Sequence, residues 1–94
     1  MADENSIFIG IKPFMNYVTG VVMQFTTKGA NEVVIKARGK FISRAVDVAE
    51  VSAKRFLQEA VAVKGIKINS EEFTNKENRQ VRVSTIEITL GRVQ

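Results

Sequence analysis

Apolar residues recur along this chain in two different periods, which separate predicted helices from predicted strands. Residues 6–10 form a first short run that is apolar enough to be a strand inside a sheet. Pro13 follows at a favourable first-turn position, and apolar residues at three- and four-residue spacing from Phe14 to Phe25 predict an amphipathic helix of about three or four turns. Gly29 is a typical residue at which such a helix ends.

A second strand and a second helix follow in the same order. Residues 32–37 are β-branched at their centre and predict the strand, which Gly39 interrupts. Apolar residues at helical spacing then predict a longer helix that begins near Ile42 and ends near Gln58.

The C-terminal third alternates between apolar and polar residues, a pattern typical of strands. Two such runs, separated by the polar residues 74–79, predict a long hairpin. With about ten residues in each arm it extends on the order of 30 Å, so we expect its tip to project from the core. The apolar parity changes between Val83 and Ile86, which predicts a bulge or a sharp twist near Ser84 and Thr85.

The order of elements predicts an α/β fold: a single-domain β-α-β-α-β-β sandwich with a long projecting C-terminal β-hairpin. A chain of 94 residues is too short for two separate cores, so we expect one domain over residues 1–94. Alternating strands and helices imply crossovers that place the two helices on one face of the sheet or on opposite faces. The pattern leaves both arrangements open.

Composition excludes several function classes. The chain has no Cys and no His, which removes disulfides, zinc–thiolate sites and the usual general base, so we expect no metal, no cofactor and no enzymatic activity. No apolar run approaches the roughly 18 residues of a membrane span, and the acidic N-terminus is unlike a signal peptide. We therefore expect a soluble, cytoplasmic protein without a membrane partner.

Fourteen Lys and Arg residues against ten Asp and Glu residues give a net charge of +4, and the basic residues are unevenly placed. The densest basic stretch contains Lys36, Arg38 and Lys40, with Arg44 one helical turn further on and no acidic residue between them. Gly39 permits an unusual backbone angle, and a helix N-terminus directly after it presents free N–H groups to an anion. This pattern predicts phosphate binding, with a solvated loop of scattered charges as the alternative.

Lys12 lies in the turn between the first strand and the first helix. Because ligands gather at the ends of strands in open α/β sheets, we expect Lys12 near Arg38 and Lys40. The alternative is a single exposed lysine.

The hairpin carries Lys76 and Arg79 at its tip, among glutamates that balance their charge. A narrow ribbon can enter a nucleic-acid groove and present arginine to it, which makes these two residues candidate contacts. An ordinary exposed hairpin is the alternative.

Seven segments together resemble the Alba family of archaeal chromatin proteins, from about Asn5 to Leu90. They are residues 5–10, Lys12-Pro13, residues 15–18, residues 34–40, residues 42–47, Arg55-Phe56 and residues 83–88. The resemblance implies a dimer that binds double-stranded DNA, and also RNA, without strong sequence preference, and that coats or compacts chromosomal DNA cooperatively. A heterodimer with a paralogue is left open beside the homodimer.

The resemblance also implies roles for individual residues. Lys12, Lys36, Arg38 and Lys40 match the basic loops that form the body of the family's binding surface. The resemblance further implies that the hairpins of the dimer embrace the duplex at its minor groove, which supports the interpretation of Lys76 and Arg79 as contacts.

The end of the second helix resembles the family's dimer–dimer contact. Arg55 and Phe56 occupy the matching positions. The helical spacing alone interprets Phe56 as core, so the resemblance changes that interpretation to an interface residue.

Two positions depart from the family pattern. Ile11 stands where the family commonly has the lysine associated with regulatory acetylation, and Phe41 stands where the family often has a small residue. Two other function classes stay open: an RNA-binding module of a ribonucleoprotein, and a structural oligomer whose basic charge is incidental.

Overall fold

A computed structural model describes residues 5–93, and its elements follow the predicted β-α-β-α-β-β order. The strands and helices are β1 (Ser6–Phe8), α1 (Phe14–Thr26), β2 (Glu32–Arg38), α2 (Ile42–Glu50), β3 (Val61–Thr74) and β4 (Gln80–Arg92). A short 3₁₀ turn (Gly39–Phe41) precedes α2, and a π-helical segment (Val51–Phe56) continues it. No helix within residues 5–93 is both long and apolar enough to cross a membrane.

The four strands form one sheet in the order β1-β2-β4-β3, with β1 parallel to β2 and the other pairs antiparallel. Buried positions alternate along the central strands from Val33 to Ala37 and from Ile86 to Leu90, and they include Ile35 and its pairing partner Ile88. Both helices contribute to the single core that covers these positions, so both lie on one face of the sheet. We call this the helix face, and the other the open face.

The helices form where the apolar spacing predicts them. On α1 the buried residues are Tyr17, Val18, Val21 and Phe25, and the chain leaves the helix through Gly29, whose φ of 68° favours glycine. After α2 the helical path continues to Phe56, close to the predicted end near Gln58.

The hairpin is longer than predicted, with 14 residues in β3 and 13 in β4. The molecule measures 48 × 23 × 22 Å, and every residue of β3 from Val63 onward is exposed. The hairpin therefore projects beyond the helices, as the sequence predicts.

The bulge predicted near Ser84 and Thr85 is wrong. Pairing continues regularly through both residues, and the irregularity lies instead in β3 between Val63 and Gly65. The parity changes because Ile86 and later apolar residues of β4 lie on the helix face, whereas Val83 lies on the open face. A regular strand thus carries apolar residues on different faces along its length, without an extra residue.

Candidate nucleic-acid interface

The turn after β1, residues 10–13, is held by side chains from both helices; we call it the Lys12 loop. The hydroxyl of Tyr17 accepts hydrogen bonds from the backbone N–H groups of Gly10 and Lys12, each at 3.0 Å. Arg44 of α2 donates from Nη2 to the carbonyl oxygen of Lys12 at 2.9 Å. These contacts fix the backbone of the loop and leave the side chain of Lys12 exposed.

Arg44 is half-buried, as is Lys36, whereas Lys12, Arg38 and Lys40 are exposed. Its guanidinium lies 5.9 Å from the centroid of the Tyr17 ring, and its Nε has no hydrogen-bond partner among residues 5–93. The contact with the Lys12 carbonyl makes Arg44 a support of the Lys12 loop. The two residues of this contact are 32 positions apart in the chain, so local spacing could not indicate it and grouped Arg44 with the phosphate candidates.

The basic stretch of β2 lies on the open face. Lys36 and Arg38 have the same strand parity, and both alternate with the buried Ala37. Gly39, at a φ of 55°, then turns the chain into α2, whose first turn has no side-chain cap. Lys40 is exposed in this turn, with its Nζ 5.6 Å from the centroid of the Phe41 ring.

Arg38 has a partner that the sequence did not predict. Its Nη2 lies 3.0 Å from Oε1 of Glu71, on the neighbouring hairpin, and both side chains are more than half exposed. A phosphate that binds Arg38 therefore has to displace the carboxylate of Glu71 from its guanidinium. Only the register between strands brings these two residues together, so no local pattern could have revealed the pair.

A groove of about 750 Å³ runs along the open face at this point. Its walls combine cations, two carboxylates and aromatic rings, of which those of Phe8 and Phe73 are exposed: Lys36, Arg38, Lys40, Glu71, Glu87, Phe8, Phe41 and Phe73. Phe8 stands in an apolar strand run and Phe73 at the end of a predicted strand, so neither position indicates a site residue by its local pattern. The available signal was that Phe8 has the opposite parity to Ile7 and Ile9, which lie toward the helices.

The tip of the hairpin is an ordered turn. The side-chain Oδ1 of Asn75 accepts hydrogen bonds from the N–H groups of Glu77 and Arg79, at 2.9 and 3.0 Å. Lys76 and Arg79 are exposed there. Arg38 pairs with Thr85 of β4, and Arg79 stands six residues before Thr85 in the chain. The cations at the tip therefore lie roughly 20 Å along the strand from those of the body.

Arg55 and Phe56 lie at the end of the helical segment that follows α2. Phe56 is 51% exposed and Arg55 is also exposed, so the ring lies outside the core that helical spacing alone assigned to it.

The Alba family model matches residues 5–70 of this chain. The chain belongs to the Alba family. A protein of Methanothrix thermoacetophila named DNA/RNA-binding protein Alba is 55% identical over 92 residues, covering 98% of this chain and 100% of that protein. One of the same name from Nanoarchaeum equitans is 64% identical over 85 residues, covering 89% and 93%.

Among solved structures, Alba from Thermoplasma volcanium has a TM-score of 0.84 and 46% identity, covering 94% of this chain and 100% of that one. The match confirms the Alba resemblance and the predicted fold class across nearly the whole chain.

Proposed function

We propose that this Alba protein is a chromatin-type protein that binds double-stranded DNA and RNA without strong sequence preference and coats them cooperatively. It acts by binding rather than catalysis, as one domain over residues 1–94, in association with the chromosome in the cytoplasm. The observation that carries the proposal is the exposure of Lys12, Arg38 and Lys40 in the turns and at the strand end of the body, and the relatives named DNA/RNA-binding proteins support it.

Phosphate contacts supply this kind of affinity. Lysine and arginine on phosphates position a protein on a duplex but carry no sequence information, because the phosphate backbone is the same at every step. The basic residues of the body lie in turns and on a strand end. The turn that precedes α2 leaves Gly39 and Lys40 exposed, whereas the N–H of Ile42, the first residue of α2, is bonded to the carbonyl oxygen of Gly39. The cations at the hairpin tip contact a second part of the same duplex.

The protein acts as a dimer, and an apolar stripe on β3 supports this part of the proposal. All four apolar residues of this stripe lie on the helix face: Val61, Val63, Ile66 and Ile68. Val61 is itself buried there, and the other three pair with buried residues of β4. Their exposure rises from 3% to 41%, 63% and 75% as the strand leaves the helices. A second copy that covers this stripe removes the exposed apolar area. A paralogue with a matching stripe would pair in the same way.

Salt-dependent binding to a duplex tests the nucleic-acid function. If a dimer neutralises about six phosphates, log K against log salt has a slope near −5. The triple variant Lys12→Ala, Arg38→Ala, Lys40→Ala should bind on the order of 10- to 100-fold more weakly and with a shallower slope, because it loses phosphate contacts. Arg38 should contribute most, since its planar fork grips a phosphate at two points.

A matched control removes three exposed lysines outside the proposed interface: Lys28→Ala, Lys54→Ala and Lys64→Ala. Both triple variants lose the same net charge, so only the first should lose most of its affinity. Equal losses, a flat salt response or strong preference for one duplex sequence would contradict the proposal. Titration with duplex RNA of equal length separates general binding from an RNA-specific module.

The dimer is tested by Ile68→Asp, which places a charge on the proposed contact. Sedimentation should show a folded monomer, since a buried unpaired carboxylate is strongly unfavourable. Met23→Asp, at an apolar residue that is 45% exposed on α1, is the control and should remain a dimer. A dimeric Ile68→Asp variant would refute the role of the stripe.

A further inference from the structure

Phe8 is exposed in an unusual setting, on a strand whose other apolar residues are covered. Ile7 and Ile9 lie toward the helices, and Ile9 is only 6% exposed. Phe8, between them, points to the open face and is 62% exposed. Phe73 lines the same groove and is 43% exposed. Large rings on a helix-free sheet face are available to stack on a flat partner.

Cations stand directly beside the Phe8 ring. Lys36 is the pairing partner of Phe8, and its Nζ lies 5.4 Å from the centroid of the ring. Arg38 and Lys40 extend the positive charge along the same groove, against the carboxylates of Glu71 and Glu87. The groove wall therefore carries three cations and two carboxylates, a net positive charge that suits a phosphate backbone.

We propose that the open face binds single-stranded nucleic acid, with Phe8 stacking on an unpaired base and Lys36 and Arg38 holding adjacent phosphates. An aromatic platform inside a positively charged groove is how sequence-tolerant single-strand binders work, because every base has a flat face. Bases in an intact duplex are already stacked on each other, so Phe8 contributes only when bases are unpaired. The site deepens the proposed function, since it shares cations with the duplex surface and adds a substrate class.

The test compares three fluorescent probes of equal length, each about 12 nucleotides, within the range that single-strand-binding folds cover. They are oligothymidylate, an abasic oligomer with the same phosphates but no bases, and a DNA duplex. Phe8→Ala should weaken oligothymidylate binding by about 5- to 150-fold, which corresponds to about 1–3 kcal/mol of stacking. Binding of the abasic oligomer and of the duplex should not change.

Two further variants control the test. Phe8→Tyr keeps the ring and should retain oligothymidylate binding. Met23→Ala removes a comparably exposed apolar side chain from α1 and should change nothing. Thermal melting and sedimentation of each variant verify its fold and its oligomeric state.

Several outcomes would overturn the inference. Unchanged oligothymidylate affinity in Phe8→Ala would show that no base stacks there. An equal loss for the abasic oligomer would show that the ring only supports Lys36. Dissociation of the dimer in Phe8→Ala would show that the open face is an interface between copies. Measurements on the wild-type protein separate this inference from the proposed function. If it binds oligothymidylate but not the duplex, only the proposed duplex binding is refuted.

Discussion

Replacing Tyr17 with Phe removes one oxygen atom that holds two backbone N–H groups of the Lys12 loop. The ring itself is 8% exposed and keeps its place, so the change isolates the hydroxyl. Each hydrogen bond contributes a net 0.5–1.5 kcal/mol or so, which gives about 1–3 kcal/mol for the pair. Because the loop is partly exposed, water can replace part of this, and we expect a loss of about 1–2 kcal/mol.

Denaturant unfolding at one fixed protein concentration measures this loss, since oligomerisation makes stability depend on concentration. Thr26→Val is the matched control. It removes the hydrogen bond from Oγ1 of Thr26 to the carbonyl of Val22, on the exposed side of α1, and should cost less than about 0.5 kcal/mol. A free energy of unfolding for Tyr17→Phe within about 0.5 kcal/mol of wild type would refute the reasoning.

The same variant reports on binding. If Tyr17 acts on affinity by positioning Lys12, the losses caused by Tyr17→Phe and by Lys12→Ala should not add in the double variant. Fully additive losses would separate the hydroxyl from the lysine.

Two other changes have defined outcomes. Glu71→Gln frees Arg38 from its carboxylate partner and should raise duplex affinity by up to about fivefold, which is the free energy of a surface ion pair. Glu50→Gln disrupts the ion pair with Lys54 and should leave duplex affinity unchanged. Equal affinities for both variants would disprove competition at Arg38. Phe56→Ala should melt close to wild type, because the ring is half exposed, yet should flatten the cooperative binding curve on a long duplex while binding to a one-dimer duplex persists. Gross destabilisation, or an equally steep curve, counts against the interface.

Local spacing could predict the elements of this fold because each depends on neighbours in sequence. Three- and four-residue spacing of apolar residues defines the helices, and alternation defines the strands. Gly29 follows the end of α1, and Gly39 follows the end of β2. Local spacing could not predict contacts that depend on strand register. The pairing of Arg38 with Glu71 and the support of Lys12 by Arg44 both join distant segments. The wrongly predicted bulge had the same origin, since parity alone does not say which face is covered.

The free edge of strand β3 also affects whether neighbouring copies of this protein aggregate. This strand is an outer strand of the sheet, so one side of its backbone is available to pair with another chain. The irregularity between Val63 and Gly65 breaks the regular path of β3 near its base, and Lys67 and Glu72 place charge further along the strand. Proteins that concentrate on one DNA molecule bring such strands close together. The irregular path and the charges of β3 disfavour the continuous sheet that would otherwise grow between neighbours.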